Sequence, residues 1–545
     1  MLSGMNLDKI ISSFPKDVQE SPSMKGLVTL IQTLAEQLQK TQEQLQKTQE
    51  LLTKSEARIK VLEDDLAKFR KTPKRPKFHP NNMQPRNRNK PPSPEDNPLT
   101  MAKALFKKEC LEIKISIPNP PEGSRFKGYQ SYSVQEIVLG AKETTYKLEV
   151  WETPSGEVIR AGLPKELEGG HYGPTLKALS VNLYAQGMTQ PAIHEFLRGL
   201  DIEISTGQVN NILLDEAEAF SMIGEAVLTA GLSEAPYIRT DDTGEKHDYK
   251  SAYCTHLGGE YFAYYQTTSS KSRENFLRIL LQGKEGYCIN EAMIWHLFQV
   301  GVEDDVLNLF EEYQGKSYRS KKGMKRLLNR LGLKGKKLQE QCIEAGLVGF
   351  ISQTILKPGQ ILLSDRAGQF SVFDHAECWV HMERPLRKII TTSEQAEEDL
   401  KRVRESIWLL YKALRKASET QTGKDEINTL YDQLVNMKTI SPEINAVIDN
   451  FAEHREGMLK ALDHPGLPLH NNDSERDIRG VAKRRNISGS TKSSRGRKFR
   501  DALLTLKQTC FRVKYNFWDY LQLWFKGDPP DLADLVRNKY RSAQA

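Results

Sequence analysis

Ile31, Leu38, Leu45, Leu52, Ile59 and Leu66 stand seven residues apart, and a second series three residues later holds Leu34, Thr41, Thr48, Ser55, Leu62 and Phe69. A helix keeps such a repeat on one stripe only by supercoiling against a partner, so residues 27–70 are expected to form a coiled coil through which the chain self-associates. Thr, Thr and Ser in the middle of the second series weaken that seam and suit it to setting register or strand number. The near-identical QLQKTQE heptads also fit a duplicated stretch of solvated helix. Helix formation should stop at Thr72, where repeated Pro, Asn and basic residues give a flexible linker over 71–100.

Charge is segregated along the 545 residues rather than large in total, the net value being only +7. From Lys68 to Lys90 there are nine basic residues and no acidic one; from Arg476 to Arg500 there are ten, opposed by Asp477 alone. Such runs suit contact with a polyanion such as nucleic acid, or are solvated surface. No stretch is apolar enough to span a membrane and the first twenty residues lack a signal-peptide core, so a soluble chain of the cytosol is expected, without membrane partners. The six cysteines form no Cys-x-x-Cys pair, which excludes a disulfide framework or zinc ribbon.

Residues 101–168 should hold a small β-containing domain, with TTYKLEVWE and EVIRA flanking a Pro-Ser-Gly turn as a hairpin. Residues 169–230 read as helical. Thr189 is placed to cap a helix opened by Pro191, and Ser205 with Gln208 to start another that carries Val209, Ile212 and Leu213 inward. That is the pattern of a helix-turn-helix, in which Gln208, Asn210 and Asn211 face outward and can read adenine edges, or of an ordinary helical hairpin.

Beyond it, PYIRTDDT, YKSAYCTHL and EYFAYYQ read as three strands, the last two joined by a Gly-Gly turn. Asp241 and Asp242 point to opposite faces of the first, so only one can serve a common site. The apolar run of QILLSD ends in Asp365, and ligand sites gather at the C-terminal ends of parallel strands. Glu475 precedes the second basic run. Two aspartates and a glutamate suit a pair of Mg²⁺ ions acting on a phosphodiester, because hard cations take carboxylate oxygens. Cys378 and His381 form half a zinc site at most, and with Trp379 and Arg384 they read as structure beside the site. The helical stretch EEDLKRVRESIWLLYKALRKA carries Leu400, Val403, Ile407, Leu410 and Leu414 on one face.

Three motifs in order make the chain resemble the transposases of the insertion sequence 66 family, DDE transposases with an RNase-H-like fold. Asp241, Asp242 and Thr243 are similar to the family's Asp-Glu-Thr, which selects Asp241. Asp365 is followed by Cys378, Trp379, His381 and Arg384, similar to its Cys-Trp-x-His and arginine motif. Asn471, Asn472, Glu475, Arg476 and Arg479 are similar to its Asn-Asn-x-x-Glu-Arg-x-x-Arg. There are departures: the cysteine-rich zinc segment is missing, Asp-Arg-Ala-Gly stands where Asp-Gly-Tyr is usual, and the 124-residue interval from Asp241 to Asp365 is long enough to contain an insertion, including the basic SYRSKKGMKRLLNRLGLKGKK.

The resemblance implies an α/β RNase-H-like catalytic domain over 235–523 with an all-α insertion near 385–465 and another insertion near 270–355. A helical DNA-binding region and the N-terminal coiled coil precede it; 1–26 is a leading segment and 524–545 a tail. It further implies catalysis by Asp241, Asp365 and Glu475 with two Mg²⁺ ions, Mn²⁺ substituting. DNA would be contacted by Gln208, Asn210, Asn211, Asn472, Arg476, Arg479, Lys483, Arg484 and Arg485, with small accessory proteins as further partners. Nicking of transposon ends and 3′-OH strand transfer into target DNA is the expected activity, at the bacterial nucleoid. An inactive DNA-binding relic and an RNase-H-like nuclease without transposition are the competing readings.

Overall fold

The structure, a computed structural model, describes residues 139–544 apart from 165, 166, 168 and 169, together with isolated residues between 15 and 40 and residues 125 and 129. The chain divides into two units, Met1–Asn82 with Arg387–Glu397, and Met83–Leu386 with Glu398–Ala545. In the first, the described positions from 16 to 40 are helical, and the Thr33 hydroxyl donates to the Thr29 carbonyl one turn back at 2.9 Å. The heptad residues of 27–70, the linker 71–100 and most of 101–138 lie outside the described residues.

The second unit opens on the expected hairpin, β1 (Val150–Glu152) paired antiparallel with β2 (Val158–Arg160) around Gly156, whose positive φ the turn requires. Both strands are exposed throughout. Helices α1 (Pro174–Ala185), α2 (Gln190–Arg198) and α3 (Thr206–Leu214) follow. Their starts are chemical: Pro174 and Pro191 sit in first turns, Thr189 accepts from the Ala192 N–H, and Ser205 accepts from the Gln208 N–H at 3.1 Å. Ile193, Leu197, Val209, Ile212 and Leu213 are buried between them. Helix α4 (Ala217–Glu234) turns Phe220, Val227 and Leu228 inward, and its Gly231 lets the Phe262 ring pack where a Cβ would stand only 2.6 Å from it.

The sheet is a five-stranded mixed one. β3 (Tyr237–His247), β4 (Lys250–Gly258) and β5 (Ala263–Thr268) form an antiparallel meander, and the order across the sheet is β5-β4-β3-β8-β9. Between β5 and β8 lies a mainly helical excursion: α5 (Arg273–Leu281), β6 (Tyr287–Cys288), α6 (Glu291–Gln299), α7 (Asp304–Asn308), β7 (Ser317–Tyr318), α8 (Lys321–Arg330) and α9 (Lys336–Thr354). β8 (Ile361–Ser364) then runs parallel to β3, and β9 (His375–Glu377) parallel to β8. All four residues of β8 are buried, as an apolar run inside a sheet covered on both faces should be.

Helices α10 (Trp379–Glu383), α11 (Glu394–Thr420), α12 (Lys424–Val435), α13 (Pro442–Glu453) and α14 (Arg455–Leu459) come next, and Val403, Ile407, Leu410 and Leu414 of α11 are buried as their spacing requires. The chain ends in α15 (Asn472–Ser488), α16 (Ser494–Arg512), α17 (Phe517–Lys526) and α18 (Leu532–Gln544). Within the expected C-terminal tail 524–545, Leu532–Gln544 form a packed helix: Leu532, Ala533, Val536 and Tyr540 bury one face of α18 and Arg541 pairs with Glu234 of α4 at 2.8 Å.

Candidate functional site

The register of β3 and β8 sets the first two carboxylates side by side. Arg239 pairs with Leu363 across the parallel ladder. Two residues further along each strand direction stand Asp241, within β3, and Asp365, just past the end of β8. Asp241 Oδ1 accepts from the Asp242 N–H at 2.8 Å, and Asp365 Oδ1 from the Ala367 N–H at 3.1 Å, which shapes the loop that leaves the sheet.

The third carboxylate arrives on the first turn of α15, and that helix is fastened to β3 at several points. Asn471 Nδ2 donates to the Thr240 carbonyl at 2.7 Å and its N–H to Cys378 Sγ at 3.2 Å. The buried Arg239 guanidinium pairs with Asp473 and donates to the Gly259 carbonyl. One turn on, Asp477 meets His256 Nε2 at 3.1 Å, accepts from Gln508 at 2.7 Å and pairs with Arg512. Glu475 lies between these fastenings.

The electrostatics show that the three acids share one neighbourhood. Burial, together with the fields of Asp365, Asp242 and Glu475, pushes the Asp241 pKa up to about 7, against the pull of the Asp242 N–H. Glu475 Oε1 is held by Arg384 at 2.7 Å and stands 3.3 Å from His381 Nε2. Burial and the Arg384 charge keep the His381 pKa below its ordinary value, so near neutral pH it is a neutral neighbour. Asp242, on the other face, is engaged by Lys271 and Gln369, each at 2.6 Å. Among the described residues, no group of three His, Cys, Asp or Glu side chains is arranged to hold a metal ion.

Cys378 and Trp379 are buried beneath the site. The thiol is pushed up to about 11 by burial, and the indole donates to the Met458 carbonyl at 2.9 Å. Arg476, Arg479 and Lys483 are exposed along α15, with Asn472 half-buried beside them. Four arginines expected to contact DNA are engaged within the chain: Arg476 pairs with Asp473 and Arg479 stands 3.9 Å from Glu475. Arg484 is buried over the Tyr184 ring, 3.6 Å from its centre, and donates to the Tyr184 carbonyl; Arg485 donates to the Gly244 carbonyl. Arg484 is therefore withdrawn from the DNA-contact set. On α3, Asn211 is exposed, Asn210 accepts from Gln190 at 3.1 Å, and the half-buried Gln208 lines an open cavity of about 630 Å³ with His171, Tyr172, Arg198 and Ser205. That cavity shares no residue with the carboxylate site.

Sequence reasoning missed Arg239, Lys271 and Gln369. Arg239 carried a signal, since an arginine inside a strand that is otherwise apolar at its start needs a buried partner. The model of the transposase IS66 family matches residues 360–498. Over 299 residues the chain is 31% identical to the uncharacterized protein y4jO of Sinorhizobium fredii (strain NBRC 101917 / NGR234), spanning 54% of this chain and 93% of that protein. The chain belongs to the IS66 family of transposases. The family segment contains Asp365, the Cys378 to Arg384 motif and Glu475, whereas Asp241 lies upstream of it. Among the described residues no helix is long and apolar enough to cross a membrane, and a transposase of this family acts on DNA.

Proposed function

We propose that Asp241, Asp365 and Glu475 are the catalytic carboxylates of an RNase-H-like domain that nicks transposon ends and transfers the resulting 3′-OH into target DNA. The observation that carries this reading is the convergence on Asp241 of the fields of Asp365 and Glu475, which lie 124 and 234 residues further along the chain. An acid raised in this way by burial and like charge is one whose balancing cation comes from outside. Three carboxylates without a soft ligand fit Mg²⁺, with Mn²⁺ as substitute. When bound, such ions supply a hydroxide-like nucleophile and neutralise charge on the leaving oxygen.

The chain's own groups do the rest. Asp241, whose proton is held by burial and like charge, would have to be deprotonated to hold a cation. Arg384 releases Glu475 and is left beside the scissile phosphate, where a guanidinium steadies added negative charge. Arg476, Arg479 and Lys483 hold the DNA backbone along α15, while α3 presents Asn211 to a second part of the duplex. In the first reaction water displaces the 3′ oxygen at the transposon end, breaking one phosphodiester to leave a 3′-OH and a 5′-phosphate; in the second, that freed hydroxyl displaces a 3′ oxygen of target DNA, making one phosphodiester as it breaks another. Self-association through 27–70 would bring two ends into one complex in the bacterial cytosol.

Glu475→Ala tests the assignment. Nicking of DNA carrying the element's ends in Mg²⁺ should disappear while circular dichroism and DNA affinity are unchanged; persistent nicking would remove Glu475 from the chemistry. Joined products in the wild-type reaction distinguish transposition from plain nuclease action.

A further inference from the structure

The excursion between β5 and β8 carries a cationic surface that the catalytic reading leaves unused. From Lys316 to Lys337 there are ten Lys and Arg residues and no Asp or Glu, and all ten are exposed. Helix α8 at its centre is two-faced. Met324, Leu327 and Leu328 are buried, while Lys321, Lys322, Lys325, Arg326 and Arg330 face solvent. Ser320 caps it by accepting from the Gly323 N–H at 3.2 Å, and Glu285 meets its start by accepting from the Lys321 backbone N–H at 3.3 Å.

What marks this helix is the contrast with others in the same chain. Arg278 is paired with Glu274 at 2.7 Å, Arg415 with Glu419 at 3.2 Å and Lys460 with Glu456 at 2.8 Å, each one helical turn apart. On α8 the corresponding neighbours are Lys321 with Lys325, Lys322 with Arg326, and Arg326 with Arg330, like-charge pairs that weaken a helix. The sequence thus keeps a repulsive arrangement with no carboxylate interleaved. A lipid surface is a poor match, because the apolar face an interfacial helix would insert is already buried. A phosphate backbone needs only the outward charges.

The excursion is also rooted at the carboxylates. Lys271 at its beginning pairs with Asp242, Arg273 donates to the Gly368 carbonyl at 2.6 Å, and its far end feeds β8, which leads into Asp365. We propose that the 316–337 surface, centred on α8, binds the backbone of duplex DNA flanking the point of cleavage. This rests on the transposase reading for its choice of polyanion.

The test is a fluorescence-anisotropy titration of the full chain with a labelled duplex carrying an element end, in Ca²⁺ so that no cutting intervenes, across 50 to 300 mM salt. Replacing Lys322, Lys325, Arg326 and Arg330 together by Gln should make the slope of log affinity against log salt shallower by about two to three units, with affinity at 100 mM salt lower by roughly ten- to a thousand-fold. Arg326→Gln alone should remove about one unit. Replacing Lys412, Arg415 and Lys416 on α11 by Gln should leave both quantities unchanged. An unchanged slope in both α8 variants would overturn the proposal, as would an equal loss in the α11 variant. Because no cleavage is measured, that failure leaves the Glu475→Ala assay standing, and surviving nicking there leaves this titration standing.

Discussion

Two groups of acids sit along the same meander and are balanced in opposite ways. Four residues beyond Asp241 on β3, Glu245 joins Asp501 of α16 around the guanidinium of Arg500: Nη1 is 3.2 Å from Glu245 and Nη2 is 3.1 Å from Asp501, while Thr267 donates its N–H and hydroxyl to Asp501 at 2.7 and 3.0 Å. Burial alone would lower the Arg500 pKa, but Asp501, Cys254 and Glu245 hold it above its ordinary value. That cluster carries its own cation and is sealed. At the other group, neither Asp241 nor Asp365 has a Lys, Arg or His at ion-pair distance among the described residues. A buried carboxylate with an internal partner is architecture; one left unbalanced beside others is where the proposed reading places a cation from solution.

The comparison can be broken at either group. Asp365→Asn should lower nicking by about a thousand-fold, worth about 4 kcal/mol of barrier, with the fold intact; near wild-type turnover would make the unbalanced group structural too. Arg500→Met should destabilise the chain by about 3 to 4 kcal/mol in urea unfolding, since it strands Glu245 and Asp501 in the interior, and a neutral result would mean the sealed cluster is open to water.

An effect of opposite sign belongs to Asp241. Its pKa is about 7 in the fold against an ordinary 3.8, so between those values the folded chain binds a proton the unfolded chain has released. Stability therefore falls as pH rises from about 4 through about 7, and Asp241→Asn should be more stable than wild type by about 4 kcal/mol at pH 8 and equal to it below pH 4. Ser205→Ala, remote from both groups, supplies the baseline: loss of the α3 cap should cost about 1 kcal/mol at every pH in thermal unfolding.

The meander, the β8 strand and the caps at Thr189 and Ser205 were legible because each is written in local pattern: an apolar run, a Gly-Gly turn, a Ser or Thr ahead of a helical stripe. Asp365 was legible from the apolar run of β8 that it follows, whereas Asp241 lies inside the long β3 rather than at its end; Arg384 and His381 stand beside Glu475. What was not legible depends on phase and distance. Lys483, Arg484 and Arg485 look alike in a list of residues, yet Ser474, Ile478 and Val481 set the buried face of α15, and the helical period carries Arg484 onto it. The link between Arg239 and Asp473 joins residues 234 apart, which no periodicity announces. The α18 helix was passed over because Leu532, Val536 and Tyr540 fall in a stretch dense with charge.

Asn471, Arg239 and His256 rivet the start of α15 to the meander, so Asp241 and Glu475 travel as one solid block. Asp365 hangs instead from a four-residue strand whose hydrogen-bonded ladder to β3 has already ended. On the proposed reading, any tightening of the three carboxylates around a cation falls to the loop after Ser364, which makes that short span the jaw and the rest the anvil.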